Sequence, residues 1–288
     1  MRKVVHTINA HVAPVGTFSV RRTLPNQQCH SVGPWVFLDH FGPFQVTPGH
    51  DGVGPHPHAG IETVTYLLSG RNEHRDSAGH TGIVGPGGAQ WMTAGRGIIH
   101  AEMPVPANAD EMTLHGIQLW TTLPRAMKQM LPRYQRIDAA TIPKGLIKGG
   151  MVRIVAGEYE SIKGPAQILM PLLLWHVSLD AGASFKGAIP REFEVAAYVI
   201  AGNVSFYNHA PDISMGTLVV FADGEKVQND SAVAFTNNTK ETVDVLLLGG
   251  VPAEGPLVFY GPFVMNSIEQ IHRAERAYRN GEMGILDE

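Results

Sequence analysis

The chain has 288 residues, of which 44% are hydrophobic and 17% charged, a length and apolar content at which one core usually gives way to two domains. Its formal charge of −4 comes without a long basic run, which argues against a surface that tracks nucleic-acid phosphates, and the single cysteine, Cys29, excludes an intrachain disulfide. No apolar run approaches the roughly 20 residues of a membrane-spanning helix, and the opening MRKVVHTINAHVAPVG lacks the apolar stretch of a secretory signal, so a cytoplasmic protein off the membrane is expected.

In chain order, short apolar runs recur between turn residues. They are TFSVRR from Thr17, WVFLDHF from Trp35, TVTYLLSG from Thr63, MTLHGIQLW from Met112, LLLWHVSL from Leu172, VAAYVIAG from Val195 and VDVLLLGG from Val243. With 32 glycines and 20 prolines scattered among them, they describe an all-β chain of sandwiches or barrels. LPRAMKQML, from Leu123, suits a short helical segment with Pro124 in its first turn and Pro132 as its stop. The stretch DAATIPKGLIKGG, from Asp138, has the composition of a join between halves. A helix is predicted over 267–280: Ser267 caps it, Gln270 completes a capping box, Ile268, Ile271, Ala274 and Tyr278 share a face, and Gly281 ends it.

Two segments repeat. ETVTYLLSG from Glu62 and EVAAYVIAG from Glu194 share Glu, Tyr and Gly at the same spacing, at an offset of 132, and that offset also brings LHGIQLW near VLLLGG. This points to duplication of one architecture. The copies differ in chemistry, because His56 and His58 map onto Ala188 and Pro190.

His56 and His58, in PHPHAGIETVTYLLSG, stand two apart, so on an extended strand they share a face. His100 and Glu102, in AGRGIIHAEMP, have the same spacing. Two such pairs on neighbouring strands can converge four donors on one point. Three imidazoles and a carboxylate suit Fe, Mn, Co, Ni, Cu or Zn, and the lone cysteine excludes a thiolate site. H-x-H by itself is most often a surface or hydrogen-bonded pair; the joint pattern is far more specific. Glu62 is a competing carboxylate, with the parity to face inward beside His56 and His58. Asp39, His40, His115 and Gln118 are weaker candidates for supporting roles, Arg96 suits a turn, and His74, His80, His176, His209 and His272 have no partner at ligand spacing.

H-x-H-x-x-x-E followed by G-x-x-H resembles the paired motifs of the cupin superfamily of metal-binding jelly-roll barrels. More narrowly, FLDHFGP, HPHAGIETVTYLLSG, MTAGRGIIHAEMP, LHGIQLWTTLP and PFVMNSIEQIHRAERAYRNGEMG resemble the pirin family of bicupins, over nearly the whole chain. The sequence departs from the frequent HPHRGFETVTY in having Ala59 and Ile61 at the Arg and Phe positions. The resemblance implies two tandem cupin jelly-roll barrels with a short C-terminal helix. The N-terminal metal-binding barrel would be residues 1–140, and a degenerate barrel with the terminal helix 141–288. It implies one divalent ion, iron as Fe(II), on His56, His58, His100 and Glu102, with Glu62 as a supporting residue.

It implies also a 2,3-dioxygenase that cleaves a flavonol such as quercetin with O₂ and releases CO. Glu102 would be the base that takes the proton of the phenolic substrate. A second reading from the same resemblance is an iron-dependent redox-sensing regulator that binds a partner protein, a transcription factor or a metabolic enzyme. A metal that serves folding alone is the third. A monomer is expected, with neither nucleic acid nor membrane as a partner.

Overall fold

A computed structural model describes residues 1–46, 52–105, 112–224 and 231–287. The chain forms two compact β units, one comprising 12–20, 37–140 and 253–288, the other 1–11, 21–36 and 141–252. The chain passes from one to the other at 140/141, at the start of the DAATIPKGLIKGG stretch. A single cut there does not describe the grouping, because the first eleven residues belong with 141–252 and the last thirty-six with 37–140.

The first unit carries most of a seven-stranded sheet in the order Arg133–Ile137, Ala89–Thr93, Ile61–Ser69, Met112–Thr122, Trp35–Val46, Phe18–Leu24, His11–Val15. A four-stranded sheet runs Val53–His58, Ile98–Pro104, Asn72–Asp76, Thr81–Val84. The second unit repeats the plan. Its seven strands run Val4–Asn9, Thr217–Phe221, Glu194–Ala201, Val243–Gly250, Leu172–Leu179, Gly150–Ala156, Lys144–Ile147, and its four run Ser184–Ala188, Ala232–Thr236, Asn203–Phe206, Ile213–Ser214. The two ETVTY-like segments occupy the same place in the two orders, as the repeat requires. Each unit is a pair of antiparallel sheets folded as a jelly roll. Val4–Asn9, at the start of the chain, is the edge strand that takes in the second unit the place Arg133–Ile137 takes in the first. The buried Arg2 guanidinium anchors it, donating to Phe193 O at 2.6 Å and Pro190 O at 2.7 Å.

The central strands are near-continuous apolar runs because both faces are covered: Tyr66, Leu67, Ala196, Ala197 and Tyr198 are all fully buried. The second unit's interior is closed by aromatic packing. Phe185 lies 5.0 Å from Phe235 between ring centres, Phe206 5.4 Å from Phe235, and Tyr159 5.2 Å from Trp175. Truncating one such ring typically costs about 3–5 kcal/mol.

The terminal helix, Ile268–Arg279, buries Ile271 and Ala274 against Ala59, Phe263, Met265 and Met283. Ser267 Oγ accepts from Gln270 N–H, and Gln270 Oε1 accepts from Asn266 N–H, one residue ahead of the cap, so the capping box is offset by one. The segment after Pro124 is a single 3₁₀ turn, Arg125–Met127. None of the helices among the described residues is long and apolar enough to cross a membrane.

Candidate metal centre

Val53–His58 and Ile98–Pro104 are antiparallel neighbours, and their register places His56 opposite His100 and His58 opposite Ile98. On the other side of Ile98–Pro104, Asp76 faces His100, and His74 faces Glu102. Side chains alternate along a strand, so one face of the four-stranded sheet carries His56, His58, Asn72, His74, Asp76, His100 and Glu102. The facing sheet answers with a polar row, since Thr65 is paired with Gln118 on one side and Gln90 on the other.

His56, His58 and His100 each bring a ring nitrogen to one point, all within 4.8 Å of one another, and His56 Nε2 and His100 Nε2 are 3.0 Å apart. Two nitrogens bound at about 2.1 Å and at right angles to a common ion would be about 3.0 Å apart, so the spacing fits an ion between them. The far nitrogens are already used. His56 Nδ1–H donates to Gly54 O at 2.8 Å and His58 Nδ1–H to Pro262 O at 3.1 Å, which leaves both Nε2 atoms facing inward. Trp120 packs against His58 with ring centres 4.9 Å apart, and Phe37 stacks on Trp120 at 4.0 Å.

Burial, reinforced by the neighbouring His56, pushes the His58 pKa down to about 3, despite the Pro262 carbonyl. Burial, then His56, His58 and His74, holds His100 well below the ordinary histidine range. These two imidazoles are therefore neutral at pH 7, the state in which histidine ligates. Facing lone pairs in a buried space form a donor set that a cation would satisfy.

Glu102 is not one of the three groups that converge. Its Oε1 accepts from Thr65 Oγ1 at 2.5 Å and from Asn72 Nδ2 at 3.4 Å. Thr65 Oγ1 also lies 2.7 Å from the Gln118 side chain. One hydroxyl proton cannot serve two acceptors, so Gln118 turns its amide N–H toward Thr65, and Thr65 donates to the carboxylate. Glu102, Thr65, Asn72 and Gln118 line a cavity of about 80 Å³ together with Asp39, and with apolar walls that include Phe18, Phe41 and Leu114.

Glu62 does not face inward as its parity predicts. Gly60, at φ +77° between the strands that end at His58 and begin at Ile61, resets the alternation, so Glu62 and Thr65 project to opposite faces. Glu62 accepts from Thr93 Oγ1 at 2.6 Å and Thr121 Oγ1 at 3.4 Å, and burial raises its pKa against those bonds, the Trp91 side chain and Arg133. Ala59 is fully buried. His40 and His115 meet each other, with Nε2 atoms 2.6 Å apart, and Arg96 is exposed on a turn, its N–H donating to Met130 O.

His74 and His80, which have no partner at ligand spacing, do have one in space beside His100. His100 Nδ1 lies 3.4 Å from His74 Nδ1, His74 Nε2 lies 3.0 Å from Asp76 Oδ2, and His80 Nδ1 lies 2.9 Å from the same oxygen. Burial acts to raise Asp76, but hydrogen bonds from His74 and His80 outweigh it and hold the carboxylate below its usual range. In Asn72–Asp76 polar residues occupy both faces, so alternation gave no signal there.

In the second unit Ala188 is opposite Ala232. These are the counterparts of His56 and His100 at the offset of 132, so two imidazoles of the site are replaced by methyl groups.

Comparison with known proteins agrees with this architecture. The family description Pirin matches residues 17–121, and Pirin C-terminal cupin domain matches 174–284. Pirin of Mus musculus is 36% identical over 272 residues, covering 92% of this chain and 88% of that protein. The crystal structure of quercetin 2,3-dioxygenase from Acinetobacter baumannii superposes with a TM-score of 0.89 at 32% identity, covering 99% of this chain and 100% of the other. A bacterial pirin from Escherichia coli, solved in complex with nickel(II), has a TM-score of 0.64 at 22% identity over 86% and 99% of the two chains, a likeness of fold alone. Two family matches in tandem and a third of the residues identical over nearly the full length make this chain a member of the pirin family, with two cupin barrels.

Proposed function

We propose that this chain is a metal-dependent dioxygenase that cleaves a flavonol such as quercetin with O₂ and releases CO. The observation that carries the reading is the convergence of His56, His58 and His100 on one point, on the strands that also present Glu102 to a cavity. One divalent ion would be held by these three histidines, with Glu102 as the fourth ligand. Fe(II) is the proposed resident, and Mn, Co, Ni, Cu and Zn suit the same nitrogen and oxygen donors. When bound, such an ion supplies Lewis acidity, which lowers the pKa of a substrate hydroxyl. The name of the Acinetobacter baumannii structure supports the choice of substrate.

The chain's own groups then have definite tasks. Glu102, loosened from the ion during turnover, takes the proton of the substrate's 3-hydroxyl, and Thr65 and Asn72 hold its Oε1 while it does so. Phe18, Phe41 and Leu114 exclude water from the electron-rich ring. At about 80 Å³ the cavity is smaller than the roughly 300–1,000 Å³ usual for ligand sites, so a flavonol must displace part of this wall to enter.

The test is CO release and quercetin loss after O₂ is admitted to protein loaded anaerobically with Fe(II), with His56→Ala as control. Turnover absent from the variant supports the reading. Iron-loaded protein without turnover overturns it in favour of an iron-dependent regulator that binds a partner protein.

A further inference from the structure

We propose that His74 and Asp76 are positioning residues that fix the tautomer of His100, so that its Nε2 lone pair is presented to the ion. The inference rests on the metal-binding reading above and assigns it two further residues.

The argument starts at the carboxylate. Asp76 Oδ1 accepts from the backbone N–H groups of Ala78 and His80, each at 3.0 Å, so a tight turn fixes its orientation. Its Oδ2 can only accept, so His74 must carry its proton on Nε2, 3.0 Å away. A neutral His74 then has its lone pair on Nδ1. That atom lies 3.4 Å from His100 Nδ1, so the hydrogen bond between them requires the His100 proton on Nδ1. His100 Nε2 is left without a proton, 3.0 Å from His56 Nε2. The opposite tautomer of His100 would need a proton on both nitrogens of His74.

Packing keeps the series in place. Tyr134 stacks on His74 with ring centres 4.4 Å apart and planes 10° from parallel, and His74 is 2% exposed. His56 and His58 have backbone carbonyls as their outer partners; His100 instead has an imidazole backed by a carboxylate, a stronger acceptor that makes the bound ring more basic.

Two measurements test this. In metal-free protein, long-range ¹H–¹⁵N spectra of the imidazoles are expected to show His100 protonated on Nδ1 and His74 on Nε2. Then Ni(II) alone is titrated against a chromophoric chelator into wild type, His74→Phe and His74→Asn, with thermal midpoints recorded. Phenylalanine keeps the ring and its stacking but removes both nitrogens, and is expected to weaken Ni(II) binding about 10–100-fold. Asparagine returns an acceptor near the Nδ1 position and is expected to recover most of that loss, which a purely structural role would not predict. Equal affinity of wild type and His74→Phe overturns the proposal, as does a wild-type spectrum with His100 protonated on Nε2, which decides the matter even if His74→Phe fails to fold. A wild type that takes up no Ni(II) overturns the metal reading itself, and differs visibly from the case in which wild type and variant bind alike.

Discussion

His56 stands directly opposite His100 across two antiparallel strands, and the second barrel repeats that register with Ala188 opposite Ala232. One architecture thus holds a donor pair in one copy and methyl groups in the other. The second copy's interior is closed by packed aromatic rings.

Metal content should follow this asymmetry. Elemental analysis is expected to find one ion per chain and almost none after His56→Ala. The loss should exceed the roughly 100-fold that removal of a supporting residue costs. Two ions per chain in wild type would contradict the assignment of the site to the first barrel.

The two carboxylates should separate cleanly. Glu102→Ala is expected to weaken metal binding and abolish turnover, while Glu62→Gln, across the strand and held by Thr93 and Thr121, should keep the metal. Thr65→Val would leave Glu102 in place without its shortest hydrogen bond, and a fall in kcat with metal content unchanged would mark Thr65 as its anchor. Metal lost from Glu62→Gln and kept by Glu102→Ala would reverse the assignment.

Acid should destabilise the metal-free protein earlier than the carboxylates alone would. His58 has a folded-state pKa of about 3 against an ordinary 6.5, so between these values the unfolded chain binds the proton and the folded one does not. Stability therefore falls as pH drops below about 6.5. His58→Gln should show a smaller loss of thermal midpoint between pH 7.5 and 5 than wild type; an equal loss would place the acid sensitivity elsewhere.

Lys128 provides a second pH signature of opposite range. Its fully buried Nζ donates to Gly60 O, Thr122 Oγ1 and Val264 O, tying the residues after His58 to the C-terminal segment that supplies Pro262 O. Burial lowers its pKa to about 7, against the pull of Glu254. The unfolded chain holds the proton up to about 10.5, so folding stability should rise with pH between about 7 and 10.5. In Lys128→Met that rise should vanish, and the loss of three hydrogen bonds should cost on the order of 3 kcal/mol, measured by urea unfolding. A variant with unchanged stability at pH 7 would show that these acceptors find other donors.

Sequence alone determined the all-β architecture, the repeat with its imidazoles missing from the second copy, the terminal helix and the H-x-H and H-x-E pairs, because each is written in local spacing that a strand or helix converts directly into a shared face. It did not determine the orientation of Glu62, since a single left-handed residue at Gly60 shifts the parity of everything beyond it. Nor could it link His74 and Asp76 to His100, or Pro262 to His58, which lies 204 residues away. Those partners meet only through strand register and chain return, and tautomers and pKa values follow from the burial and hydrogen bonds that such long-range packing creates.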